Sequence, residues 1–300
     1  MIEVNGLSKN YDDILAVDDI TAVIQEGSVF GLVGTNGAGK STFLRMLCGV
    51  LKPAKGTIQI DGEDIYENEE AKKKVFYISD DQYFFANGTP YDMKKYYEKV
   101  YTDFDNDKFF TLMTKFGLQG TRKINTYSKG MKKQLAVILG ICAKTKYLLC
   151  DETFDGLDPV MRQAVKSIFI AEMEDRGMTP IIASHNLREL EDICDHVGLL
   201  HKGGILLSKD LEEMKLSLHK IQCVFSEENG KNRFVEATKP IKTEQRGSLY
   251  TFTIRGTRED LEHELASIET VFSEIIPLSL EEIFISETEV VGYDIKSLIL

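Results

Sequence analysis

The five cysteines, Cys48, Cys142, Cys150, Cys194 and Cys223, include no CxxC pair. Their scatter excludes zinc-site spacing and a disulfide framework, and it fits reduced thiols that serve as small core residues in a cytosol. The opening MIEVNGLSKNY has no basic stretch followed by an apolar one, so a secretory signal is not expected. Long apolar runs are also missing. The longest, 135–143, has nine residues, about half of the roughly 20 that span a bilayer, so the chain is not expected to cross a membrane by itself. Positive charge is in deficit, with 36 Lys+Arg against 48 Asp+Glu and a net charge of −12. That balance argues against a partner whose phosphate backbone must be neutralised, and no nucleic acid is expected. Internal repeats and low-complexity tracts are absent. What remains is a 300-residue chain, 28% charged and 43% hydrophobic, which is the composition of one large or two modest globular domains.

Over the first two hundred or so residues, short apolar runs alternate with helical patterns, the signature of a parallel sheet covered by helices. The expected strands are 28–33, 75–78, 147–151 and 180–184. Segments 2–7, 18–25 and 56–61, set between polar or glycine-containing turns, suit a smaller antiparallel flank. Met93, Tyr96, Tyr97 and Val100, then Phe109, Leu112, Met113 and Phe116, follow helical spacing and predict an inserted helical lobe at about 90–143. After about residue 216 the pattern changes to strands at 220–225, 234–237 and 249–255, a helix over 258–267, a strand at 271–276 and a last helix. This predicts a first domain over 1–215 and a small α+β domain over 216–300. The second carries 9 Lys+Arg against 15 Asp+Glu, again a poor match to nucleic acid.

The strongest chemical signal is GTNGAGKST, running through Gly34, Thr35, Asn36, Gly37, Ala38, Gly39, Lys40, Ser41 and Thr42. It follows an apolar strand and opens an amphipathic helix, the context that the phosphate-binding pattern G-x-x-x-x-G-K-[ST] requires. Its glycines let successive N–H groups curl toward phosphate oxygens at a helix N-terminus. Lys40 is then expected on the β- and γ-phosphates, and the Ser41 hydroxyl on Mg²⁺. A second element must complete such a site, and the run 147–150 ends in Asp151 and Glu152. Side chains alternate along a strand, so Asp151 can serve Mg²⁺ while Glu152 polarises the attacking water.

With these residues in hand, the chain resembles the ATP-binding cassette (ABC) ATPases, the nucleotide-binding subunits of transporters, over residues 1 to about 215. YSKGMKKQ, 127–134, resembles the LSGGQ signature, with Lys129 and Met131 as departures and with Ser128 and Gly130 kept. The resemblance implies that Ser128 and nearby N–H groups contact the γ-phosphate held by another copy of the fold. The segment 153–159 is similar to the family's D-loop, with Gly156, Leu157 and Asp158 intact and Phe154 and Asp155 unusual. His185 matches the switch histidine that senses the γ-phosphate, and Tyr11 the aromatic that stacks on adenine. For the glutamine loop, which in the family meets Mg²⁺ or water and the membrane partner, strand register selects Asp80 and residue type selects Gln82. The implied fold is α/β, a P-loop NTPase of ABC type: a parallel sheet core with an antiparallel flank and an inserted helical lobe, plus the small C-terminal α+β domain.

The resemblance implies an ATPase using ATP and Mg²⁺ that drives a substrate through a separate membrane-spanning permease. Because each site needs a phosphate loop from one copy and a signature from another, a homodimer or heterodimer of such ATPases is implied. It would associate peripherally with the cytoplasmic side of the cell membrane through the permease. The segment SLEEIFISETE, 279–289, resembles the closing helix of bacterial exporter-type cassettes and points to export. Two other readings compete. A non-transport ABC ATPase acting on a soluble macromolecule would call for two cassettes or long coiled coils, and neither is present. A regulatory module with slow hydrolysis fits the altered signature, but Glu152 and His185 weigh against it.

Overall fold

The computed structural model describes residues 1–227 and 229–290. The chain forms two compact units, Met1–Ser208 and Lys209–Leu300. The last ten residues of the expected second domain, 291–300, lie outside the described residues.

In the first unit, β1 (Ile2–Tyr11) and β2 (Ile14–Ile24) make a hairpin, and β3 (Phe30–Val33) leads into α1 (Lys40–Leu47). Then come β4 (Lys55–Ile60), β5 (Glu63–Asp64), α2 (Glu69–Lys73) and β6 (Val75–Ile78). Helices α3 (Pro90–Val100), α4 (Asn106–Lys115) and α5 (Lys129–Cys142) follow. The run ends with β7 (Tyr147–Asp151), α6 (Pro159–Arg176), β8 (Thr179–Ser184), α7 (Leu187–Glu191), β9 (His196–His201) and β10 (Gly204–Asp210). One sheet has the order β10-β9-β3-β8-β7-β6, and β3, β6, β7, β8 and β9 pair in parallel. Strands β3, β7 and β8 are buried along their whole length, as expected of a parallel sheet covered on both faces. The second sheet, β2-β1-β4-β5, is antiparallel.

Helix α1 joins the two sheets into one core. Phe43, Leu44, Met46 and Leu47 are all buried there, in one cluster with Ile2, Val4 and Ile60 of the antiparallel sheet and Phe30, Leu149 and Ile181 of the parallel one. Leaving the water for such a site stabilises each large aliphatic or aromatic side chain by roughly 1.5–3 kcal/mol. The phosphate loop at the head of α1 is therefore mounted on a helix packed into the core of this unit. In the lobe, α3 starts with a full capping box between Thr89 and Asp92 and buries Met93, whereas Tyr96 and Val100 stay 45% and 42% exposed. Helix α5 is buried without interruption from Lys133 to Cys142.

The second unit contains α8 (Leu211–Ser217), β11 (Leu218–Phe225), α9 (Gly230–Thr238), β12 (Lys242–Arg246), β13 (Leu249–Arg255), α10 (Arg258–Ala266), β14 (Thr270–Pro277) and α11 (Leu280–Val290). From β11 to β14 this is a β-α-β-β-α-β unit with antiparallel order β12-β13-β11-β14, a ferredoxin-like arrangement. The strand expected at 234–237 is instead part of α9. Gly230 and Phe234, one helical turn apart, are the buried residues there, and Phe234 packs on Phe252 of the sheet with ring centroids 5.1 Å apart. Strand β12 was not expected because all five of its residues are exposed and show no apolar alternation.

Candidate active site

The phosphate loop joins β3 to α1, and its glycines are dictated by space as much as by curvature. Gly39 has φ +105°, and a Cβ there would lie 2.2 Å from the Ala16 carbonyl oxygen of β2. At Gly34 a Cβ would come within 2.5 Å of the Leu200 carbonyl oxygen. Gly37 is also left-handed, at +81°, but in open space. The Ala38 N–H donates to the Thr35 carbonyl at 3.1 Å, and the Phe43 N–H to the Gly39 carbonyl at 2.9 Å, which closes the curl onto the first turn of α1. Thr35, Asn36 and Gly37 are exposed, Ala38 is buried, and Ser41 and Thr42 are half-buried. This loop can cradle an anion with backbone N–H groups and a helix N-terminus.

Inside the loop the buried Lys40 ammonium donates to the Gly34 carbonyl at 2.7 Å and the Thr35 carbonyl at 3.3 Å. It also pairs with Glu152 Oε1 at 3.2 Å, both side chains being nearly enclosed. The other Glu152 oxygen, Oε2, lies 2.9 Å from His185 Nδ1 and accepts a longer bond from the His185 N–H at 3.4 Å. Lys40, Glu152 and His185 thus form one contiguous cluster, delivered by α1, the end of β7 and the end of β8. Parallel neighbours β7 and β8 place Glu152 and His185 side by side, since the Glu152 N–H continues the ladder to the Ala183 carbonyl at 2.9 Å. Glu152 itself is left-handed at φ +48°, a conformation that costs a non-glycine residue about 1–3 kcal/mol.

Asp151 sits one residue earlier and points elsewhere. Its Oδ2 accepts from the Tyr77 hydroxyl at 2.9 Å. Its Oδ1 is buried and has no partner. Burial pushes the Asp151 carboxyl above its usual range, against the lowering effect of the neighbouring Ser41 and Tyr77 hydroxyls. A buried carboxylate oxygen with one hydroxyl beside it suits a hard cation that takes one or two protein oxygens and draws the rest from water and phosphate. Among the described residues no group of three or more His, Cys, Asp or Glu could hold a metal without such help.

The residues implicated in a partner's site occupy the N-termini of two helices. Ser128 caps α5, its hydroxyl accepting from the Met131 N–H at 3.1 Å. Asp158 caps α6 through the Val160 and Met161 N–H groups, both at 3.0 Å. Gly130 adjoins the D-loop, where its Cβ would lie 3.1 Å from the Gly156 carbonyl oxygen. Tyr11, 42% exposed, ends β1 opposite Ile14 at the hairpin, with the Lys9 ammonium 5.7 Å from its ring centre. The hairpin lies close to the phosphate loop, because Ala16 of β2 is the residue that abuts Gly39.

After β6, Asp80 pairs with Lys133 at 3.1 Å, and the Gln82 amide donates to the Ser79 and Asp80 carbonyls at 2.9 Å each. Gln82 also lines an aromatic cleft with Phe76, Tyr83, Phe85, Tyr96 and Tyr97. Sequence reasoning missed Lys133, Tyr77 and this cleft. Tyr77 had a readable signal: it is the one polar-tipped residue in an otherwise apolar four-residue strand. Pairing with Leu149 puts it on the strand face that also carries Asp151.

Comparison with known proteins agrees with this geometry. The ABC transporter family model matches residues 17–155. The chain is 30% identical over 287 residues to the ABC transporter ATP-binding protein YtrB of Bacillus subtilis (strain 168), covering 96% of this chain and 98% of that one. It is 30% identical over 218 residues to the bacitracin transport ATP-binding protein BcrA of Bacillus licheniformis, covering 72% and 71% of the two chains. A solved ATP-binding subunit of an ABC transporter superposes with a TM-score of 0.66 at 25% identity, over 72% of this chain and 92% of that one. No helix among the described residues is long and apolar enough to cross a membrane. The chain belongs to the ATP-binding subunits of ABC transporters and is an ATPase of the P-loop type.

Proposed function

We propose that this subunit hydrolyses MgATP to drive a substrate, in the export direction, through a separate membrane-spanning partner. The cluster of Lys40, Glu152 and His185 at the mouth of the phosphate loop carries the reading. Backbone N–H groups of residues 34–42 hold the phosphates, and Lys40 exchanges its contact with Glu152 for the β- and γ-phosphate oxygens. Freed from that ion pair, the Glu152 carboxylate accepts a proton from the attacking water. His185, already hydrogen-bonded to Glu152, orients the carboxylate and senses the γ-phosphate. Ser41 and Asp151 would hold Mg²⁺, with Asp80 or Gln82 contributing through the loop after β6. Bound there, Mg²⁺ supplies charge neutralisation of the phosphates. Tyr11 stacks on adenine. Ser128, Gly130 and Asp158 complete the site of a second copy, a homodimer or heterodimer in which closure on ATP and opening after hydrolysis move the permease.

The aromatic cleft beside Gln82 is the surface we assign to the permease. Tyr83 is 78% exposed in it, and aromatic clefts with exposed rims suit burial of an apolar helix from a partner. The unit Lys209–Leu300 is read as an accessory domain, and α11 as the exporter-type closing helix. Cytoplasmic-side, peripheral membrane association follows from the permease alone. Affinity capture of the Glu152→Gln subunit with ATP, from detergent-solubilised membranes of its own host, tests the proposal. Co-purification of a protein with several apolar spans of about 20 residues supports it, and repeated recovery of soluble partners only would overturn it.

A further inference from the structure

We propose that Lys133 is a positioning residue for ATP hydrolysis: its buried ammonium clamps the backbone carbonyl of Glu152 and the carboxylate of Asp80, and so fixes the Glu152 side chain for attack. The inference rests on the role of Glu152 proposed above. Lys133 is fully buried, and a lysine is kept in such a place only when its charge is met. Three groups meet it: Asp80 Oδ1 at 3.1 Å, Asp155 Oδ2 at 3.9 Å, and the Glu152 carbonyl oxygen, which accepts a hydrogen bond. They come from three segments, the loop after β6, the end of β7 and the turn before α6. One side chain on α5 therefore ties the glutamine-loop region, the carboxylate of the hydrolytic cluster and the D-loop together.

The carbonyl contact matters most. Glu152 is left-handed, and such a residue persists only where its surroundings over-determine it. Its N–H is held by the Ala183 carbonyl at 2.9 Å, and its C=O by the Asp155 N–H at 3.2 Å and by the Lys133 ammonium, the one side chain among these restraints. Without Lys133 the turn is held by its local backbone bond only, and the residue can relax toward ordinary backbone angles, carrying its carboxylate away from Lys40 and His185. The polar contacts of Lys133 reach neither the loop 34–42 nor Tyr11, the groups assigned above to the phosphates and the adenine. Loss of Lys133 therefore falls on turnover and spares affinity.

The test uses the purified full chain. Lys133→Met keeps the length of the side chain and removes its charge and donors. Its kcat should fall at least about tenfold, as misplacement of a reacting group does, with the Kd for a fluorescent ATP analogue in Mg²⁺ within about twofold of the parent. Lys133→Arg, which keeps charge and donors, should recover part of the loss. If Lys133→Met fails to fold, Lys133→Gln, which drops the charge and keeps a neutral donor, is measured for the same split. An unchanged kcat overturns the inference, as does a loss of affinity matching the loss of kcat, or no recovery with arginine. Glu152→Gln is measured alongside. Undiminished hydrolysis there refutes the role of Glu152 and the inference with it, while a loss there without a loss in Lys133→Met refutes Lys133 alone.

Discussion

The phosphate loop and the signature segment treat a departure from the family pattern in opposite ways. In the loop, every position of G-x-x-x-x-G-K-[ST] is kept, and the structure shows the reason in backbone contacts. Gly39 and Gly34 have no room for a Cβ, and no substitution elsewhere can move a neighbouring strand's carbonyl. In the signature segment, Lys129 replaces a glycine and Asp155 is unusual in the D-loop, yet the two are partners at 2.8 Å. Lys129 holds the Asp155 carboxyl below its usual range, with Lys133 assisting. Asp80, in the register of the usual glutamine, is likewise met by Lys133. Side chains can be changed in matched pairs; a backbone that must curl within a fixed space cannot.

That contrast sets a scale of expected effects. Gly39→Ala should be the most damaging, because the added methyl meets Ala16 at a positive φ. Affinity for MgATP should drop by more than about 100-fold, the scale on which misplacement by an ångström acts, and near-parental binding in a titration would contradict the steric account. Tyr77→Phe comes next, since it removes only the donor that orients Asp151. The Mg²⁺ concentration for half-maximal hydrolysis should rise about tenfold, as when an outer partner of a metal ligand is lost, and an unchanged requirement would separate Tyr77 from the metal site. Lys129→Ala should be the mildest. The pair with Asp155 is exposed on both sides, so the melting temperature should fall by under about 2 °C, with the difference vanishing near 1 M salt. A larger fall, or one insensitive to salt, would make this pair structural and blur the comparison.

How much was legible follows the same division. Strands β6 and β7 have the bounds expected from sequence, because uninterrupted apolar runs ended by polar residues leave little choice of frame. Residues 234–237 were misread because FVEA is short enough to suit either period, and only packing of Phe234 on the sheet selects the helix. Lys133 was passed over because a lysine in a run of lysines reads as a solvated face. A signal did exist: helical spacing puts it in line with Val137 and Gly140, inside the longest apolar run of the chain. What the spacing could not supply was a partner for the charge, since Asp80, Glu152 and Asp155 arrive from segments 19 to 53 residues distant.

Sequence by itself determined the fold class, the phosphate loop, the paired acids after β7 and the family, because each is written in contiguous residues whose local geometry demands particular types. Tertiary structure alone decided which acid faces Lys40 and His185, which oxygen of Asp151 is left unpartnered, and how the altered signature is reconciled with the D-loop. Those are contacts between segments distant along the chain. They depend on sheet order and register, which local residue preference does not encode.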